Sequence, residues 1–171
     1  MIEVMRISAR SITVSTVGLV PGIRRLADEP WPVYVAISLH AADDDLRTVL
    51  VPINKRYPIA ELEAAAWEYF EKKGRRLSIE WTMMEGVNDT LDQADKLASI
   101  ARRLRAHVNL IALNPTPMST ERPSTELHIE HFARALRVRG VNVTVRDTRG
   151  RDIDAACGQL RVMSGNSRRP G

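Results

Sequence analysis

Hydrophobic residues fall along this chain in two alternating periods. Short β-branched or nearly continuous apolar runs at 12–16, 33–39, 77–84, 108–113 and 141–145 read as strands. Between them, apolar side chains recur at helical spacing. A helix is predicted near 19–27, where Pro21 suits a first turn. Another begins at Asp43, Asp44 and Asp45, whose acids favour the positive end of a helix dipole. A third spans 59–73 and stops at Gly74. A fourth spans 90–106 with Leu97, Ile100 and Leu104 on one face, and a fifth runs from a Ser124-Thr125-Glu126 cap to about Arg139. The run at 33–39 has the pattern of a strand buried on both faces. Pro52 and Pro58 bracket an irregular loop, and the prolines between Asn114 and Pro123 predict another. Strand and helix alternate throughout, which predicts an α/β fold with a mainly parallel sheet. The first strand comes at residue 12, as though the chain opened in the middle of a sheet.

Composition narrows the class. With 171 residues, 44% of them hydrophobic, the chain suits one domain with a real core. No apolar run approaches the roughly 18 residues of a membrane span, and Glu3, Arg6 and Arg10 break up any secretory leader. One cysteine excludes an internal disulfide framework and fits a reducing, cytoplasmic setting. The formal charge of +4 is compatible with a polyanionic partner. Residues 161–171, rich in Ser, Gly, Arg and Pro, are expected to be disordered.

In parallel α/β sheets, ligands gather at the carboxyl ends of the strands. Here those ends read Ser15-Thr16-Val17-Gly18, Ser38-Leu39-His40-Ala41, Glu85-Gly86-Val87-Asn88-Asp89, Asn114-Pro115-Thr116-Pro117 and Asp147-Thr148-Arg149-Gly150. Together they predict a polar rim with a site on it. His40 taken alone is equally a turn cap. His40, His107, His128 and His131 lack metal-ligand spacing, and neither common glycine-rich phosphate loop is present. Ser38, His40 and Asp44 assemble a hydrolase triad only on paper, for there is no nucleophile elbow. Lys72-Lys73-Gly74-Arg75-Arg76 reads first as a solvated helix end, with phosphate contact as the lesser reading. Cys157 sits between Ala156 and Gly158, with Arg146, Arg149 and Arg151 upstream. Nearby charge and small neighbours suit a thiolate nucleophile; a small buried hydrophobe is the other reading.

Several stretches carry a family resemblance: Ile12-Thr13-Val14-Ser15-Thr16-Val17-Gly18-Leu19-Val20-Pro21, Ala36-Ile37-Ser38-Leu39-His40-Ala41, Leu50-Val51-Pro52-Ile53-Asn54-Lys55-Arg56-Tyr57-Pro58, Gly86-Val87-Asn88-Asp89, Val108-Asn109-Leu110-Ile111, Asn114-Pro115 and Asp152-Ile153-Asp154-Ala155-Ala156-Cys157-Gly158-Gln159-Leu160. In this order, over residues 7–160, the chain resembles the C-terminal part of the radical S-adenosylmethionine (radical SAM) adenosine-C2 methyltransferases of 23S rRNA and tRNA, the RlmN type. The resemblance implies the C-terminal half of a radical SAM partial (β/α)6 barrel over residues 1–160. It implies that Ser15, Ser38, Leu39, His40 and Asn114 bind S-adenosyl-L-methionine. It implies that Cys157 becomes S-methylcysteine, from which a 5′-deoxyadenosyl radical takes hydrogen before the carbon adds to adenine C2.

The sequence also departs from the family. The family holds a 4Fe–4S cluster in a Cys-x-x-x-Cys-x-x-Cys loop and uses a second catalytic cysteine, whereas this chain has Cys157 alone. The Gly-Glu-Pro-type cofactor loop and the N-terminal RNA-binding domain are not found either. The expectation is therefore a truncated product, a mis-called start or half of a split enzyme, whose partners are 23S rRNA, tRNA and the missing N-terminal half of the barrel. A non-catalytic RNA- or cofactor-binding remnant and a C8-methylating relative are the alternatives. An open half barrel is further expected to expose an apolar edge and face.

Overall fold

Five parallel strands form one sheet in the computed structural model, which describes residues 8–114 and 120–146. The strands are β1 (Thr13–Thr16), β2 (Tyr34–Ser38), β3 (Leu77–Met83), β4 (His107–Ala112) and β5 (Val143–Arg146), and they lie side by side in chain order. Between them run α1 (Val20–Asp28), α2 (Asp44–Leu50), α3 (Ile59–Lys73), α4 (Leu91–Arg103) and α5 (Glu126–Val138). Because every connection advances one strand and parallel crossovers share one hand, the covering helices pack on the same face of the sheet.

That arrangement explains the side-chain pattern. On the helix side, Val35 and Ile37 of β2, Leu77, Ile79, Trp81 and Met83 of β3, and Val108 and Leu110 of β4 enter one core. They meet Ile23, Leu62, Tyr69, Leu97, Phe132 and Leu136 from the helices. Trp81 and Phe132 stack with ring centroids 6.0 Å apart. Along β3 the partners of this set, Ser78, Glu80 and Thr82, are half-buried on the opposite face. The run at 33–39 follows the expectation except at Tyr34, which is exposed, and Ser38, which is half-buried; Val33, Val35, Ala36, Ile37 and Leu39 are buried. The open face differs from the apolar one expected. It carries Ser15, Ser38, Glu80, Asn109, Thr144 and Arg146, because period-2 alternation sends the polar positions there.

Local signals fix the ends of the helices. Asp43, Thr90 and Thr125 accept hydrogen bonds from the backbone N–H groups of Leu46, Gln93 and His128, the N-cap arrangement. Gly74, with φ 60°, ends α3 where expected. The helix predicted to reach residue 106 stops at Arg103. Arg105 adopts a left-handed backbone (φ 49°), which turns the chain into β4. Within the loop predicted between the prolines, Pro52–Lys55 forms a 3-10 turn.

Candidate functional site

The parallel sheet gathers the carboxyl ends of its strands along one edge. Ser15 pairs with Ala36, and Ser38 pairs with Glu80, so the two serines share the polar face two positions apart along the strands. Across that face, Ser38, Glu80, Asn109 and Thr144 form one row. Asn114 lies exposed just beyond the end of β4. Leu39 is committed elsewhere. Its side chain is buried in the core, its N–H donates to the Glu80 carbonyl (3.1 Å), and its carbonyl accepts from Ala41 N–H (2.8 Å) and Arg47 Nε (3.2 Å).

His40 is the most constrained residue at this edge. Its backbone is left-handed (φ 58°), a conformation that non-glycine residues rarely keep unless surrounding contacts hold it. Those contacts are present. The carbonyl of His40 accepts from Asn88 Nδ2 (2.8 Å), and its Nδ1 accepts from the backbone N–H of Thr82 (3.1 Å). Asn88, fully buried, also donates to the Thr82 carbonyl (2.7 Å) and accepts from Met84 N–H (2.8 Å). A backbone amide can only donate, so Nδ1 carries no proton and the ring proton sits on Nε2. His40 thus presents a fixed N–H donor at the rim. Burial, aided by the positive charge of Arg47 and opposed by Glu80, lowers its pKa from 6.5 to about 4.

This depressed pKa has a consequence for stability. Unfolding takes up a proton between the folded value of about 4 and the ordinary value of 6.5. The stability contribution is therefore complete above the ordinary value, declines as pH falls through this window, and levels off below it. His40→Asn, which tolerates positive φ, is expected to flatten the dependence of the urea midpoint on pH in that window. An unchanged slope would contradict the assignment.

Glu80 organises the polar row. Its Oε1 accepts from Ser78 Oγ (2.7 Å) and Asn109 Nδ2 (2.8 Å). Its Oε2 is buried with no hydrogen-bond partner among the described residues, and Arg146 Nη1 lies 3.9 Å away. Asp89 links the β3 turn to the start of α5, accepting from Gly86 N–H (2.9 Å) and Ser124 Oγ (2.8 Å). No motif marks Glu80 or Ser78 in the sequence. The alternation within 77–83 is the signal that identifies them.

Other candidates separate from the rim. Asp44 Oδ1 accepts from Asn54 Nδ2 (2.9 Å) and Ile59 N–H (2.9 Å), so it does not serve His40 and no triad exists with Ser38. Lys72 pairs with Asp28 (2.8 Å) and Glu68 (3.0 Å), Lys73 caps the Glu29 carbonyl, and Arg75 lies over the Tyr34 ring. That cluster is a helix end, as expected. A groove of about 610 Å³ lies on the helix side between α3 and α4. Its charged walls are mutually satisfied, Arg103 by Glu63 (2.7 Å) and Lys96 by Asp43 (3.5 Å). Cys157, residues 115–119, the strand end at 147–150 and the tail at 161–171 lie outside the described residues.

Comparison with known proteins adds a second line of observation. No protein-family model matches the chain. A probable dual-specificity RNA methyltransferase RlmN from Frankia alni is 56% identical over 168 residues, 98% of this chain and 40% of the relative. One from Parafrankia sp. bearing the same name is 59% identical over 154 residues, 90% of this chain and 40% of the relative. The crystal structure of a radical SAM methyltransferase from Sphaerobacter thermophilus superposes with a TM-score of 0.87 at 53% identity, covering 91% of this chain and 46% of that one. A domain of a pyruvate-formate lyase-activating enzyme from Bacteroides vulgatus, 14% identical with a TM-score of 0.60, shares the fold. The chain spans about 40% of the length of the curated relatives it matches.

Proposed function

Because the chain belongs, over nearly its whole length, to the C-terminal part of the RlmN-type radical SAM RNA methyltransferase family, we propose that it is the cofactor-binding, cysteine-bearing part of an enzyme that methylates adenine C2 in 23S rRNA and tRNA. The observation that carries this reading is the convergence of Ser15, Ser38 and His40 on one rim of a parallel sheet.

The donor set suits S-adenosyl-L-methionine. Two serine hydroxyls, a fixed imidazole N–H and the amide of Asn114 match the hydroxyl, carboxylate and ring-nitrogen groups of that molecule. Bound there, S-adenosyl-L-methionine supplies an activated methyl group and, on reductive cleavage, a hydrogen-abstracting radical. The chain's own residues do the rest. Ser15, Ser38 and His40 Nε2–H orient the ligand, and Asn114 approaches from the end of β4. Cys157, as a thiolate, takes the methyl by displacement, S-adenosylhomocysteine leaving, and so becomes the carbon carrier toward the base. A 4Fe–4S cluster does not fit this chain by itself, because it has one cysteine where the family loop supplies three. Its ligands belong to the part of the relatives that this chain does not span. A cytoplasmic setting follows from the RNA substrates. Among the described residues, no helix is long and apolar enough to cross a membrane.

The test is reassembly. The chain is combined anaerobically with the complementary N-terminal part of the Sphaerobacter thermophilus relative, and iron, sulfide, S-adenosyl-L-methionine and a one-electron reductant (dithionite) are supplied. After incubation with an rRNA fragment and tRNA, the digested nucleosides are resolved by mass spectrometry. 2-Methyladenosine is expected. 8-Methyladenosine would overturn the C2 assignment. No methylated adenosine, from parts whose intact relative is active, would overturn the reading.

A further inference from the structure

Arg47 is fully buried, yet it forms no ion pair among the described residues. Its guanidinium is met by uncharged oxygens instead. Nη2 donates to the Val17 carbonyl (2.8 Å), Nε to the Leu39 carbonyl (3.2 Å) and Nη1 to Asn54 Oδ1 (2.7 Å). Val17 is the first residue beyond β1, and Leu39 the first beyond β2. One planar group therefore bridges the carboxyl ends of two strands. Asn54 is itself held, donating to the carbonyl of Asp44 (3.2 Å), to Asp44 Oδ1 (2.9 Å) and to Thr48 Oγ1 (3.0 Å). The opposite side is shaped to admit the guanidinium. Gly18 has φ 103°, and a Cβ there would lie 2.9 Å from Arg47 Nη2.

Burying a charge costs several kcal/mol, and apolar residues of similar volume commonly fill such space with equal or better stability. Filling the space is therefore not what requires arginine. What apolar packing lacks is direction. A rigid fork with several donors fixes two carbonyls at a set separation, and the single ammonium of lysine does not reproduce that geometry.

We propose that Arg47 is a positioning residue, which sets the spacing between the strand ends that carry Ser15 and Ser38 to His40, with Gly18 as the vacancy that admits it. The ligand-binding half of this proposal rests on the cofactor reading above; the geometric half does not.

The experiment uses the full chain and four variants: Arg47→Lys, Arg47→Met, Gly18→Ala and the control Leu136→Ala. Leu136 is a fully buried residue of α5 remote from both strand ends. Amide hydrogen exchange and affinity for S-adenosylhomocysteine are measured on each. In Arg47→Lys and Gly18→Ala, exchange at residues 16–18 and 38–41 is expected to accelerate about tenfold or more, while that of α4 and α5 changes little. Affinity is expected to fall about tenfold, the scale of one lost charge-assisted placement. Leu136→Ala is expected to speed exchange broadly and leave affinity unchanged. Uniform acceleration in Arg47→Lys, or an equal affinity loss in the control, would overturn the proposal. Should Arg47→Met not fold, the two milder variants carry the comparison. If the parent chain binds no S-adenosylhomocysteine at millimolar concentration, the cofactor reading falls, and the exchange pattern alone decides whether Arg47 places the strand ends.

Discussion

Cys157→Ala in the reassembled enzyme is expected to reduce 2-methyladenosine to the level of RNA incubated without protein. The reason is that in the proposed mechanism the sulfur carries the methyl carbon, and alanine offers no replacement. The surrounding sequence is compatible with the role, since Arg149 and Arg151 precede Cys157 along the chain and its neighbours Ala156 and Gly158 are small. Cys157→Ser is expected to fail as well, because a serine hydroxyl stays protonated near neutral pH and is a far poorer nucleophile than a thiolate. Both variants should bind S-adenosylhomocysteine as the parent does, since the proposed ligand-binding residues Ser15, Ser38, His40 and Asn114 remain. Substantial 2-methyladenosine from either variant would make Cys157 a small packing residue and remove the mechanism.

Trp81→Ala is expected to lower the unfolding free energy by about 3–5 kcal/mol, the range for deleting a large buried aromatic. Trp81 is fully buried at the middle of the central strand β3 and stacks on Phe132 of α5. Its loss opens a cavity where the sheet meets α5. Domains of ordinary stability have only about 5–15 kcal/mol in total, so a large unfolded fraction is expected at moderate urea concentrations. Far-ultraviolet circular dichroism during urea titration measures it. Trp81→Phe, which keeps most of the ring volume, should retain much of the stability. A shift of less than about 1 kcal/mol for the alanine variant would mean that the core is not organised around β3.

Helix 59–73 was fully legible because independent signals agree there. Its apolar spacing, the proline before it and the glycine after it mark one segment, and α3 has those bounds. The helix predicted over 90–106 was legible at its Thr90 cap but overrun at its end. Arg105 is an ordinary helix former, and only the need to enter β4 drives it into a left-handed backbone. The polar rim was legible from strand ends, and Ser15 and Ser38 share one face of the sheet. The state of His40 was not legible, since its tautomer depends on the amide of Thr82, which is 42 residues away. Arg47 was also hidden. Arginine is seldom fully buried, and its partners Val17, Leu39 and Asn54 meet only after three separate turns are in place. The polar open face was available in the alternation of 77–83, where Ser78, Glu80 and Thr82 mark the side facing away from the helices.

The central claim is that an adenosyl ligand binds on this rim. A residue-resolved NMR titration of the isotope-labelled chain with S-adenosylhomocysteine tests it most directly. Chemical-shift changes are expected to centre on Ser15, Ser38, His40 and Asn114 and to be much weakened in Ser38→Ala. Changes confined to the groove lined by Asp43, Glu63, Lys96 and Arg103, or none at saturating ligand, would contradict it.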